Sequence, residues 1–378
     1  MQIIKKFEKQ ANYIFGVALV IHLVIMCVGY SMWDVPFRGR LLQIAFVLGC
    51  IKIFLTYYDK IEWVVMILTG LVGIGSYIAT REKYVLYVVV MIFAAKSVDM
   101  RKALKAILYA VLVFSIVVIA LSAFGVGDTF KQTAEFRPGI VETRYNLGFS
   151  HPNNVHGTLW YIYCLIILAC KDKLDWRHYA VLESFNVAMF LITDSKAGFI
   201  VATLVLVAGV LYKYVNNICE KGFVYILGFL AFVGIIALTL VSINTCTWYG
   251  YGPIMSMLDR VTTGRISIGF NGARMSWWTM WHGYQRPDPI AVDNGFAALG
   301  NNLGYAVWSL YLLFCIAMLW ISARKKDLLA FAIVVTTVMY TFMENSYTLN
   351  YVYLLSNLMY LIAMIYLGDK KGTSELCE

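Results

Sequence analysis

The chain has 378 residues, of which 61% are hydrophobic and 14% charged, and its formal net charge is +9 at pH 7. A water-soluble protein cannot cover such a composition with polar surface, so the soluble globular and disordered classes are excluded. In a soluble protein this charge would suggest nucleic acid. Here it reflects membrane topology, and we expect no nucleic-acid partner.

Apolar runs of about 20 residues recur along the chain, which is the length a helix needs to cross a hydrocarbon core of roughly 30 Å. We therefore predict an all-α, polytopic integral membrane protein with about twelve transmembrane helices in one domain, residues 1–378. The predicted spans are 11–30, 41–58, 61–79, 84–97, 103–124, 155–170, 178–193, 197–215, 223–245, 303–322, 327–343 and 349–367.

Lysine and arginine are unequally distributed between the two sets of connecting segments. The segments on the side of the N-terminus are short and lysine-rich, as at Lys5, Lys6 and Lys9 and again at residues 324–326. The positive-inside rule therefore predicts that both termini are cytoplasmic. Glu183 falls within a predicted span, close to its inner end, where its side chain could reach the interface.

Two long segments are predicted on the outer side, residues 125–154 and 246–302. The second is rich in Trp, Tyr, Gly and Arg and has no low-complexity tract. Long loops of this kind are usually functional or disordered, and the density of aromatic residues argues against disorder. We interpret 246–302 as a folded cap beside the membrane and 125–154 as a second outer loop.

Residues 144–154 lead into the sixth predicted span and read Arg-Tyr-Asn-Leu-Gly-Phe-Ser-His-Pro-Asn-Asn. Pro152 and the two asparagines are typical of a helix start, whose exposed backbone amides attract anions. The guanidinium fork of Arg144 suits phosphate or carboxylate oxygens. The alternative is an ordinary turn with an N-cap.

Residues 194–198, with the sequence Asp-Ser-Lys-Ala-Gly, form the short outer turn between the seventh and eighth spans. We expect Asp194 or Ser195 to cap the eighth helix. Lys196 would then lie near a helix N-terminus, where a cation opposes the helix dipole. A bound anion, or pairing with Asp194, would relieve that conflict; the alternative is a solvated hairpin turn.

Three further polar sites lie on the outer side, each with a simpler structural explanation. Arg260 and Arg265, the latter beside Gly264, could bind an anion or lie on a loop surface. Asp293 and Asn294 could be a plain turn before the tenth span. Glu344 ends the eleventh span, where a carboxylate is often only a helix-end residue.

Taken in order, residues 144–157, 194–198, 264–265 and 293–304 resemble the bacterial O-antigen polymerase and ligase superfamily, which includes capsule and exopolysaccharide repeat-unit polymerases. Residues 146–153 look like the motif before a middle span of that family. Residues 194–198 look like its Ser-Arg-small turn, with Lys196 in place of the usual arginine. The large late outer loop is also similar, whereas the flanking regions match only in topology.

The resemblance implies an all-helical fold of the integral-membrane glycosyltransferase (GT-C-like) type in the bacterial cytoplasmic membrane, with one large extracytoplasmic loop. It implies an enzyme that transfers an oligosaccharide from undecaprenyl pyrophosphate to the sugar hydroxyl of a second lipid-linked repeat unit, without a nucleotide sugar. A flippase and a chain-length regulator of the same pathway are the implied protein partners. The ligase branch has His where this chain has Asp293, which favours a polymerase and leaves the general base open.

Such a reaction needs stabilisation of the charge that develops on the departing pyrophosphate. The outer loops lack an Asp-x-Asp pair, so we expect metal-independent catalysis with no cofactor. We assign Arg144 and Arg265 to the pyrophosphate, and Asp293 to the general base or to its orientation. Glu344, His151 and His282 remain alternative bases. The predicted substrate-binding residues are His151, Asn153, Lys196, Arg260, Asn294 and Glu344.

A ligase of the same superfamily remains an alternative, and so does a transporter, either a lipid-oligosaccharide flippase or a secondary carrier. Carriers usually show two related halves and binding groups near the midplane. The sequence has no obvious internal repeat, and its polar groups crowd one face, which favours the enzyme.

Overall fold

A computed structural model describes residues 2–31, 36–127, 130–137, 140–244, 252–261, 264, 266, 275, 278–283, 292–345 and 357–368. This part of the chain is mostly helical. Its α-helices are α1 Gln2–Tyr30, α2 Arg38–Phe54, α3 Lys60–Thr80, α4 Tyr84–Ala94, α5 Met100–Ala123, α6 Pro152–Cys170, α7 Trp176–Thr193, α8 Lys196–Tyr214, α9 Gly222–Asn244, α10 Pro253–Val261, α11 Gly295–Arg324, α12 Leu328–Met343 and α13 Leu358–Gly368.

Six of these helices are long and apolar enough to cross a membrane: α1, α3, α5, α8, α9 and α11. Large apolar side chains on several of them point outward, such as Leu68 (58% exposed), Val113 (61%) and Leu230 (61%). An apolar outer surface of this kind matches lipid and not water. The chain is therefore a polytopic helical membrane protein. A helix covers all or part of each of the twelve predicted spans, but twelve crossings remain a prediction.

Helices α6 and α12 lie at the centre of the packing. Most residues between Pro152 and Ile167 are buried, and so are most of those in α12. Trp160 of α6 packs edge-on against Tyr340 of α12, with ring centroids 5.1 Å apart. The core thus fixes the start of α6 and the end of α12 as rigid neighbours.

The expectation of a purely α-helical chain is wrong in one place. Within the predicted loop 125–154, strands β1 (Lys131–Arg137) and β2 (Ile140–Tyr145) pair antiparallel. Gln132 lies opposite Arg144, and Thr133 and Thr143 share a hydroxyl hydrogen bond of 2.8 Å. The sequence between the strands is Pro-Gly, a dipeptide typical of turns. The alternation of apolar and polar residues on either side of it is too short to be distinguished among the apolar helices.

Helix α11 starts earlier than predicted, at Gly295 and not near residue 303, and it is broken at Gly304. The backbone of Gly304 has φ 75° and ψ −175°, a conformation that favours glycine. The segment 278–283 fills the break: Tyr305 N donates to Thr279 O at 3.0 Å, and Ala306 N donates to Met280 O at 2.9 Å. Part of the predicted cap therefore docks into a membrane helix.

Candidate functional site

The ends of several helices meet at one end of the bundle. The start of α6 contacts the end of α12, where Asn153 Nδ2 donates to Glu344 Oε1 at 2.6 Å. The end of α12 contacts the segment before α11, where Asn345 Nδ2 donates to Val292 O at 2.8 Å. The structure thus brings the predicted residues Asn153 and Glu344 together, and Asp293 follows Val292, which contacts Asn345.

Arg144 lies on β2 at the same end and is almost buried. Its Nη2 donates to Glu142 Oε1 at 2.7 Å and to Asp194 Oδ2 at 3.0 Å, and only 9% of its side chain is exposed. The guanidinium therefore joins the hairpin to the turn between α7 and α8. Because two carboxylates already balance its charge, Arg144 is placed to hold this turn, and its contact with the pyrophosphate stays a prediction.

The expectation that Asp194 or Ser195 caps α8 is wrong. Asp194 is instead the left-handed C-cap residue of α7, with φ 48°, and its carboxylate pairs with Arg144. Ser195 precedes α8 but makes no side-chain cap hydrogen bond. Among the described residues its buried Oγ has no hydrogen-bond partner. The first backbone amides of α8 thus lack the usual side-chain acceptor at Ser195.

Lys196 is the first residue of α8, and its side chain is exposed. Within the described ranges it forms no ion pair, so the predicted pairing with Asp194 does not occur there. A lysine ammonium and the N-terminus of a helix both carry positive charge, so their proximity is unfavourable. Together with the uncapped amides of α8, Lys196 provides a positively charged end that suits an anionic ligand.

His151 caps α6, as its Nδ1 accepts the backbone N–H of Asn153 at 3.1 Å. Tyr340 of α12 donates its hydroxyl to Asn153 O at 3.2 Å. The predicted helix start at Pro152 is therefore confirmed, with His151 as its cap. Asn153 lies beside Glu344, and the proposed contacts of His151 and Asn153 with substrate remain predictions.

Asn294 caps α11 and is fully buried. Its Oδ1 accepts the backbone N–H groups of Phe296 and Ala297, and its Nδ2 contacts Thr239 Oγ1 of α9 at 3.3 Å. All these contacts are structural, and its predicted role in substrate binding remains untested. Asp293, one residue earlier, is partly exposed at the same edge.

Arg260 is exposed near the end of α10. The neighbouring Asp259 holds the following loop, where its Oδ1 accepts Ile266 N at 3.0 Å and its backbone oxygen accepts Gly264 N at 2.7 Å. Arg265 and almost half of the predicted cap lie outside the described residues. The anion-binding roles of Arg260 and Arg265 stay predictions.

A buried polar network below this surface was missed in the sequence. His156 Nε2 contacts Asn186 Oδ1 of α7 at 2.8 Å, and its Nδ1 lies 3.3 Å from Thr193 Oγ1. Asn186 Nδ2 also donates to Glu183 Oε2 at 3.2 Å, and Thr203 of α8 donates to Glu183 Oε1 at 2.8 Å. Glu183 is thus held between α7 and α8. This arrangement replaces the expectation that its side chain only reaches the membrane interface.

The network explains Gly198 in the 194–198 sequence. A Cβ on Gly198 would lie 2.7 Å from the His156 Cβ, so only glycine lets α8 approach α6 this closely. His156 itself belongs to the 144–157 sequence. A polar residue among apolar neighbours was the signal by which the sequence could have identified it. Through His156 and Thr193, the start of α6 and the Arg144–Asp194 pair belong to one connected structure.

Within the described part of the chain, no three His, Cys, Asp or Glu side chains are grouped as a metal site would need. Comparison of the whole chain with protein-family models, with curated proteins and with solved structures finds no match. The functional interpretation therefore rests on the geometry of this chain and on the ordered sequence motifs.

Proposed function

We propose that the protein is a membrane glycosyltransferase, a polysaccharide polymerase of the O-antigen polymerase type. It would transfer an oligosaccharide from undecaprenyl pyrophosphate to a hydroxyl of a lipid-linked repeat unit at the outer face of the bacterial cytoplasmic membrane, with both termini inside. A fold of the GT-C-like type with about twelve spans belongs to this proposal. A ligase of the same superfamily is the related alternative.

The observation that carries the proposal is the uncapped, lysine-bearing start of α8, held in place by the Arg144–Asp194 ion pair. A pyrophosphate leaving group gains negative charge as its bond to the sugar breaks, and fixed amides and a cation are suited to stabilise it. Buried Ser195 Oγ is a further donor at this position. In this arrangement Lys196 contacts the pyrophosphate, Arg144 positions the turn, and Arg265 and Arg260 assist from the cap.

In the proposed reaction the acceptor oxygen bonds to the anomeric carbon while the bond to the pyrophosphate oxygen breaks. The acceptor hydroxyl must lose its proton as it attacks. Asp293 is our first assignment for the base, because it lies beside the start of α11 and at the ligase-type histidine position. Glu344 is the second, because Asn153 fixes its carboxylate at the same edge.

The proposal is tested by the intermediate that accumulates when the gene is removed from its host. A single lipid-linked repeat unit, already on the outer face, is the expected species. Accumulation of the repeat unit on the inner face would instead indicate a flippase. Normal polymer length in the deletion strain would contradict the assignment.

A transporter is the second candidate, and one observation favours it. Glu183 is an ionisable residue within a predicted span, bound to Thr203 and Asn186 and linked through Asn186 to His156. Ionisable groups at membrane depth often serve ion or proton pathways. A carrier would lose transport in Glu183→Gln, whereas a polymerase would keep chain elongation in that variant if the network is only structural.

A further inference from the structure

An apolar groove runs along the outside of the bundle between two helix pairs, α3 with α4 and α11 with α13. Its volume is about 430 Å³, within the usual range of ligand sites. Residues that represent its walls are Val65, Val88, Phe314, Ala317, Ile321 and Ala363. Of its four walls, α3 and α11 are long and apolar enough to cross a membrane, and α4 and α13 are shorter apolar helices.

The groove is open towards the side on which lipid lies. Val65 and Ile321 on its two rims are 45% and 37% exposed. Along α11 the lining extends from Leu310 to Lys325, which at a rise of 1.5 Å per residue is about 22 Å. One leaflet of the hydrocarbon core is roughly 15 Å thick, so this length accommodates a headgroup and one extended chain.

One end of the groove is positively charged. Lys325 lines it, with Nζ 5.1 Å from the centre of the Tyr366 ring, and Arg324 is exposed beside it over Trp320. Among the described residues neither cation has an ion-pair partner.

Among the described residues, the carboxylates of Glu62 and Asp327 near this end are engaged by other groups. Glu62, which also lines the groove, forms an ion pair with Lys96. Asp327 caps α12 through Ala330 N and accepts the Tyr366 hydroxyl at 3.3 Å. Positive charge is therefore available at this end for an anionic headgroup.

We propose that this groove binds one anionic phospholipid of the surrounding bilayer, with a phosphate near Lys325 and an acyl chain running towards Leu310. A lipid chain is already in hydrocarbon when the lipid is free, so filling the groove brings no hydrophobic transfer energy. Selectivity among lipids must then come from the headgroup, and Lys325 favours a net negative one. Since the charged end lies at the end of α11 away from Asn294, this lipid is distinct from the proposed substrate.

The test uses the full-length protein, reconstituted in vesicles of equal parts phosphatidylglycerol and phosphatidylcholine, extracted in mild detergent and weighed by native mass spectrometry. We expect one retained phosphatidylglycerol per chain. Lys325→Gln removes the charge and should weaken its retention about tenfold, the size of one charge-assisted hydrogen bond. Ala317→Trp fills the open rim and should abolish retention without disturbing the core, since Ala317 is exposed.

Matched controls are Lys213→Gln, which removes a cation that contacts Asp172 O elsewhere, and Leu227→Trp on the exposed face of α9. Both should retain the lipid like the parent protein. Retention of phosphatidylcholine at equal level, retention that survives Ala317→Trp, or no bound lipid at all would overturn the proposal. Preferential retention of undecaprenyl phosphate, when it is added to the vesicles, would overturn it in favour of a prenyl site.

Discussion

Arg144 Nη2 lies 3.0 Å from Asp194 Oδ2, and this ion pair joins two sequence motifs that are fifty residues apart. One end of the pair is on strand β2 and the other is the last residue before the turn into α8. The side chain of Arg144 is largely buried and that of Asp194 is one-third exposed. Because the two residues lie on β2 and just before α8, the pair holds the start of α8 against the hairpin. The start of α8 is in turn the positive end to which the proposed reaction assigns the leaving group.

The first prediction concerns this pair. Asp194→Asn leaves Arg144 with Glu142 as a carboxylate partner, so we expect the free energy of unfolding to fall by about 1–3 kcal/mol. Arg144→Lys keeps the charge but loses the planar guanidinium whose Nη2 serves both carboxylates, and should lower activity too. Thermal unfolding of the single and double variants measures the coupling. Additive effects of the two substitutions would show that the contact contributes nothing.

The second prediction concerns Lys196. Lys196→Gln should slow chain elongation by about tenfold to a hundredfold, the loss expected for one charge-assisted hydrogen bond to the leaving group. Lys196→Arg should retain most activity, because arginine keeps the positive charge at this position. Lys213→Gln, at the opposite end of α8, is the control. Unchanged turnover in Lys196→Gln would remove this residue from the mechanism.

The third prediction separates the two candidate bases. Asp293→Asn preserves shape but removes basicity, so it should abolish chain growth with folding intact. Glu344→Gln still accepts the hydrogen bond from Asn153 through its amide oxygen, and should reduce activity less. Elongation assays on both variants, with expression and thermal unfolding as controls, decide the assignment. Normal chain elongation by Asp293→Asn, with no elongation by Glu344→Gln, would assign the general base to Glu344 instead.

The fourth prediction concerns the break in α11. Gly304→Ala places a Cβ at φ 75°, 2.5 Å from His282 N and 2.6 Å from Trp281 C. We expect a loss of about 1–3 kcal/mol in the free energy of unfolding, together with release of segment 278–283. Gly234→Ala in α9 is the matched control, since no atom lies within 4 Å of its added Cβ. Equal thermal stability of the two variants would show that the docked segment is not held by the break.

Much of the fold follows from hydropathy alone. A helix overlies each predicted apolar run, because a lipid-facing or buried helix must be apolar over most of its length. The start of α11 was missed because most of its first residues, from Gly295 to Asn302, are small or polar and resemble a loop. The hairpin was missed because two short strands give a weak alternating pattern.

The site was predictable only in part. The motifs containing Arg144, Asn153 and Lys196 were identified, and so was Glu344, but the contact partners were not. The Arg144–Asp194 and Asn153–Glu344 contacts join residues far apart in the chain, and nothing in local spacing specifies them. His156 lay in a predicted span and was not singled out, yet it contacts Asn186 and Thr193 of α7 and lies against Gly198 of α8.

The most direct test of the central claim is elongation by the purified protein in liposomes that contain the lipid-linked repeat unit. The account predicts a ladder of lipid-linked oligosaccharides, formed in the presence of a strong chelator, slowed in Lys196→Gln and lost in Asp293→Asn. A ladder that needs one added divalent metal would contradict the metal-independent mechanism. Movement of the lipid-linked unit across the bilayer with no new glycosidic bond would contradict the polymerase and establish a transporter.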